Sequence, residues 1–123
     1  MKYSVDKQEH FAIFAPEEKT VNSLIAPELK SELFILSQEG VKNLIFDMSK
    51  IEFIDSSGLS ALLSGNRLWQ NGGFILADIK SDFVKSLIEI SRIDSVIKIL
   101  PSLEEAKQFI LELESGGGIG LSD

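Results

Sequence analysis

A chain of 123 residues with 44% hydrophobic and 25% charged side chains fits one globular domain, long enough to bury a core without covalent staples. It has no cysteine, which excludes disulfides and thiolate metal sites and fits a reducing compartment. With 12 basic against 19 acidic residues and a net charge of -7, it lacks the dense cationic surface by which proteins hold nucleic acid or anionic membranes.

Met1 to Glu9 contains no apolar central stretch, and no run of about 18 apolar residues occurs, so neither a secretory leader nor membrane insertion is expected. The expected location is the cytoplasm. Tyr3 and Val5 alternate with polar neighbours, and after Lys7-Gln8-Glu9-His10 the alternation resumes with Phe11, Ile13 and Ala15 on one face. This predicts an antiparallel hairpin with His10 exposed at its turn. Pro16 and the polar run Glu17-Glu18-Lys19-Thr20 break the pattern. Ile25, Leu29, Leu33 and Leu36 then recur at helical spacing, with Pro27 in the first turn and Gly40 closing the end.

From there the element types alternate. Asn43 to Phe46 reads as a buried strand and Ile51-Glu52-Phe53-Ile54 as a further apolar segment. Asp55-Ser56-Ser57-Gly58 opens a second helix, with Leu59, Leu62 and Leu63 on its inner face, Trp69 buried near its end and Asn71-Gly72-Gly73 as its stop. Phe74 to Ala77 is the next strand; Phe83, Val84, Leu87 and Ile88 face inward from a third helix; Val96 to Leu100 is the last strand. After Pro101, Ser102-Leu103-Glu104-Glu105 is a capping box, and Leu103, Ala106, Ile110 and Leu113 line a fourth helix. The order implies crossover connections. The fold class is therefore α/β: a mostly parallel sheet of about five strands with an N-terminal antiparallel hairpin and four helices. Four of the nine glycines fall between Ser115 and Asp123, so a domain over residues 1–114 is expected to carry a flexible tail over 115–123.

The inventory of reactive groups points to a binding module and away from an enzyme, a cofactor or a metal. His10 is the single histidine and sits in the predicted turn, so no general base accompanies Ser56 or Ser57 as a hydrolase nucleophile. The Gly-x-Ser-x-Gly elbow is absent. Gly72-Gly73 leads from helix to strand, the reverse of a phosphate-cradling loop. Glu17-Glu18 and Glu104-Glu105 are adjacent pairs whose side chains on a helix diverge by about 100°, which suits a solvated surface and not a metal. Asp47 or Asp55 as a receiver-type phosphoaspartate lacks the acidic pair that such a site needs after its first strand. What remains is Asp55-Ser56-Ser57-Gly58: either a well-capped helix start, or hydroxyls placed where the helix dipole favours an anion. A phosphate there adds roughly -1.5 to -2 charges at one exposed point, enough to eject a partner fitted to the bare hydroxyl.

The run Asn43-Leu44-Ile45-Phe46-Asp47-Met48-Ser49-Lys50-Ile51-Glu52-Phe53-Ile54-Asp55-Ser56-Ser57-Gly58-Leu59, with Ala26-Pro27-Glu28-Leu29 before it and Asn71-Gly72-Gly73 after it, resembles the sulfate transporter and anti-sigma factor antagonist (STAS) family. The resemblance implies a STAS-like fold and an anti-sigma factor antagonist. Such a protein binds an anti-sigma factor serine kinase, is released when that kinase phosphorylates it from ATP, and is reset by a phosphatase. On this basis Ser56 is the acceptor, with Ser57 as the alternative. Asp55 orients the loop, Ser57 caps the helix, Gly58 permits close approach and Leu59 anchors the helix to the core. Two positions depart from the family pattern: Asn22 stands where an aspartate commonly contacts the kinase, and Ser60 replaces a glycine after Gly58-Leu59. The alternative is a constitutive STAS subunit of a lipid transporter complex or a stress-signalling assembly. The oligomeric state stays open.

Overall fold

The computed structural model describes residues 1–70 and 73–119, with side chains through residue 115. In chain order these form β1 Tyr3–Lys7, β2 Ala12–Pro16, β3 Thr20–Val21, α1 Ala26–Gln38, β4 Leu44–Asp47, β5 Phe53–Ile54, α2 Ser56–Leu68, β6 Phe74–Ala77, α3 Asp82–Ser91, a 3-10 turn Ile93–Ser95, β7 Lys98–Leu100 and α4 Leu103–Ile119. The main sheet has the order β1-β2-β4-β6-β7, with β1 and β2 antiparallel and every other neighbouring pair parallel. This is the expected α/β class. Asn71 and Gly72 of the expected helix stop, and residues 120–123 of the expected tail, lie outside the described residues; the α4 bounds run into the segment read as tail.

Burial of β4 and β6 on both faces follows from the apolar runs Leu44-Ile45-Phe46 and Phe74-Ile75-Leu76-Ala77. Leu44, Phe46, Phe74 and Leu76 point into the larger core, which also takes Leu29 and Leu33 from α1, Ala61 and Leu62 from α2, and Val84 and Ile88 from α3. Ile45, Ile75 and Ala77 point to the opposite face, where Ala106 and Ile110 of α4 cover them. On the larger face a file of rings crosses the sheet. Tyr3 stacks on Phe14 at 4.9 Å, Phe14 on Phe46 at 5.5 Å, Phe46 meets Phe74 at 6.2 Å, and Phe74 lies under Trp69 at 6.0 Å. Trp69 is buried as expected, and its Nε1 donates to the Val41 carbonyl.

Several expectations need correction. In β2 the buried residues are Ala12, Phe14 and Pro16, and the predicted face of Phe11 and Ile13 is the partly buried one under α4. A strand covered on both faces has no single hydrophobic parity for alternation to reveal. The polar run after Pro16 ends in a strand the pattern did not show, β3, which pairs in parallel with β5 as a separate two-stranded ribbon. The last strand is shorter than Val96 to Leu100 because Val96 caps the 3-10 turn and is exposed. Phe83 is not a core residue: it is 48% exposed and stacks at 4.8 Å on Phe53, itself 43% exposed. Leu113 likewise lies at the surface. The Ser102 cap is present, its Oγ accepting from Glu105 N at 3.1 Å.

His10 is not an idle turn residue. Its Nδ1 donates to Glu114 Oε1 at 2.6 Å, while Asn43 Nδ2 donates to Glu114 Oε2 and to the His10 carbonyl, each at 2.7 Å. Asn43 thereby satisfies a buried amide and ties the hairpin turn to α4. The Asn43 hydrogen bond first, and then that from His10, hold the Glu114 carboxyl below its ordinary value of 4.5. A carboxyl depressed by folding contributes stability above its unfolded pKa, and that contribution is lost as pH falls through the folded value. Glu114→Gln is therefore expected to lower stability near neutral pH and to flatten its decline below about pH 4.5, as read from urea unfolding across the acid range.

Candidate functional site at the start of helix α2

The β3-β5 ribbon aims the chain at the site. Its register pairs Thr20 with Phe53 and Val21 with Ile54, and Asp55 N then donates to the Val21 carbonyl at 3.3 Å. Asp55 leaves the strand in an extended conformation (φ -107°, ψ -171°), so its side chain can fold back over the next turn. Its Oδ1 accepts from Gly58 N at 3.0 Å and is the N-cap of α2. Ser57 was expected in that role and does not fill it. As the second residue inside the helix, it lies too far along to receive the first turn's free amides. Both serine hydroxyls are thereby left for the surface, with Ser56 exposed and Ser57 half-buried.

Gly58 is buried because α2 is pressed against the ribbon there. A Cβ at this position would overlap Ile54 Cγ1 and lie 2.7 Å from the Val21 carbonyl oxygen. Leu59 is partly buried and packs on the larger core, as an anchor should. One turn beyond Ser56, Ser60 is exposed on the same side of the helix.

The face of α2 that carries these serines looks across at α1. Ser56, Ser57 and Ser60 form one wall of a groove of about 310 Å3, and Ser23, Ala26, Pro27 and Lys30 form the other. Pro27 fits the first turn of α1 because amides there have no helical partner to lose. Asn22 stands just outside this wall. Its carbonyl accepts from Ile25 N and Ala26 N, and its Oδ1 accepts from Leu24 N at 3.0 Å, so its amide oxygen shapes the loop. That loop holds Leu24 86% exposed beside the groove. On the other flank, Ser81 Oγ donates to the Glu52 carbonyl and secures the start of α3 next to β5, where Phe53 and Phe83 stack.

The structure thus brings Asp55, Ser56, Ser57, Gly58 and Ser60 to one place, packs the partly buried Leu59 against the core below them, and keeps Asn22 in the adjoining loop. Sequence reasoning missed Ser23 and Lys30, and it turned Phe83 inward when its ring lies outside on Phe53. Lys30 sits three residues after Pro27 and so on its helix face, but that spacing alone does not say which helix it faces. Among the described residues, no group of three or more His, Asp or Glu could hold a metal, and no helix is long and apolar enough to cross a membrane.

The STAS domain family model matches residues 3–106, so the chain belongs to the STAS domain family. Within it the match is to the anti-sigma factor antagonist type. A Bordetella bronchiseptica protein assigned as an anti-sigma factor antagonist, BtrV, is 32% identical over 108 residues, covering 86% of this chain and 91% of that one. A Thermotoga maritima crystal structure assigned to the same type superposes with a TM-score of 0.80 at 21% identity, over 88% of this chain and 93% of the other. The Bacillus cell fate determinant SpoIIAA, solved in its phosphorylated form, superposes with a TM-score of 0.66 at 16% identity, over 89% of this chain and 99% of the other. The last two likenesses concern the fold.

Two substitutions test how the site is built. Loss of the Asp55 cap in Asp55→Ala should cost about 1 kcal/mol. Gly58→Ala should cost about 1–3 kcal/mol, because the added methyl meets backbone as well as a side chain. Ser57→Ala, which removes no cap, should stay within about 0.5 kcal/mol of the parent in the same urea titrations.

Proposed function

We propose that this protein is an anti-sigma factor antagonist whose hold on an anti-sigma factor serine kinase is switched by phosphorylation of Ser56. The observation that carries the reading is the placement of Ser56: an exposed hydroxyl at the first residue of α2, between a capping Asp55 and a buried Gly58, on the rim of the groove against α1. In the transfer, Ser56 Oγ bonds to the γ-phosphorus of ATP and loses its proton to the kinase, while the bond to ADP breaks. The added phosphate sits at the positive end of the α2 dipole, so the domain tolerates it. A partner surface matched to a neutral hydroxyl does not, because it meets roughly two negative charges that it cannot pair or keep hydrated.

Bare antagonist occupies the anti-sigma factor and frees the sigma factor; phosphorylated antagonist lets go, and a phosphatase restores it. The BtrV relative supports the partner class, and the phosphorylated SpoIIAA structure supports the compatibility of this fold with the modified state. Asp55, Gly58 and Leu59 fix the loop, Ser57 and Ser60 line the contact surface, and Asn22 shapes the neighbouring loop.

Incubation with the cognate anti-sigma kinase and ATP should add one phosphate, seen by mass spectrometry, which is lost in Ser56→Ala and kept in Ser57→Ala. Ser56→Asp should weaken kinase binding by at least about tenfold, or roughly 1.4 kcal/mol. If Ser56→Ala and Ser56→Asp bind every partner alike, the protein is instead a constitutive STAS subunit.

A further inference from the structure

We propose that Lys30 captures the phosphate of phosphorylated Ser56 and draws it into the α1-α2 groove, so that modification closes the concave surface as well as charging it. This rests on the assignment of Ser56 as acceptor. Lys30 and Ser56 line opposite walls of the same groove, and every other lining residue, Ser23, Ala26, Pro27, Ser57 and Ser60, is uncharged. The acidic neighbours of Lys30 along α1 are turned elsewhere. Glu28 pairs with the Met1 amine at 3.0 Å, and Glu32 accepts from Tyr3 Oη at 2.7 Å. Each lies two residues from Lys30 and so about 200° around the helix from it.

Among the described residues, the lysine ion pairs are Lys7 with Glu39 and Lys80 with Asp78, which leaves Lys30 uncommitted. Asp55, next to Ser56 in sequence, is not among the groove's lining residues, and its Oδ1 is held by Gly58 N. In a chain of net charge -7, a lone ammonium facing three serines across a groove is complementary to an anion generated on one of them. The phosphate then receives the first-turn amides of α2 from below and Lys30 from across. Ser57 and Ser60 are close enough along the same wall to be covered by the closed pair.

The test uses phosphoserine installed at position 56 during translation, which needs no kinase, in the full chain and in Lys30→Gln and Lys30→Arg. With Lys30 or arginine present, the phosphorus NMR titration midpoint should fall roughly 0.3–0.7 unit below that of Lys30→Gln at low salt, and the gap should close in about 1 M salt. Equal midpoints at low salt in all three proteins would overturn the proposal. Kinase-treated protein carrying its phosphate on Ser57, or none at all, would instead overturn the choice of acceptor, while the titration of the installed phosphoserine still reports on Lys30.

Discussion

Everything at the site depends on how closely α2 can approach the layer beneath it. Two glycines on one face make that approach possible. Gly58 rests on the β3-β5 ribbon, where a methyl would meet the Val21 carbonyl, and Gly65 rests on Phe74, where a methyl would lie 2.7 Å from the ring and 3.1 Å from Leu33. Seven residues apart, they fall on the same side of the helix two turns along, so the helix is seated at both points. With that face against the core, the serines at its start are turned toward α1 and solvent. A close-packed interior gives little room for another arrangement.

The seat for α2 is itself held by cross-sheet packing. The file of aromatic rings from Tyr3 to Trp69 links β1, β2, β4, β6 and the end of α2. At the other end of the helix, the β3-β5 ribbon supplies the Val21 carbonyl that both receives Asp55 N and blocks a side chain at position 58. A two-residue strand thus fixes the entry angle of α2. The capping carboxylate of Asp55 then satisfies one amide of the first turn and leaves the others without a helical partner, the arrangement on which the proposed phosphate at Ser56 would depend. The second face of the sheet, under α4, is tied to the far hairpin turn through Asn43 and Glu114, on elements separate from those that form the groove.

Much of this was legible in the residue pattern. The helical stripes of α1, α2 and α4, the buried runs of β4 and β6, the hairpin and the capped start at Asp55 are local properties, set by side-chain period and capping chemistry within a few residues. Where local pattern failed, a distant partner decided. β3 is two residues long and exists because β5 lies beside it. Phe83 sits at a helical position that would serve a core, yet the core below is already filled by Val84 and Ile88, and its ring stacks outside on Phe53. Ser57 has a good capping side chain, but the extended backbone falls at Asp55, and capping follows backbone geometry.

The order of side chains alone was enough to establish the α/β class and the motif Asp55-Ser56-Ser57-Gly58-Leu59, because both are written in contiguous residues. It could not establish what stands across from Ser56. Lys30 and Ser23 are 26 and 33 positions earlier in the chain, and their place on the facing wall comes from the packing of α1 against α2 over the shared core. Contacts of that separation are products of the folded surface, where shape and charge from two helices meet, and no local period encodes them. The motif names the hydroxyl; the tertiary structure supplies the groove and the cation that face it.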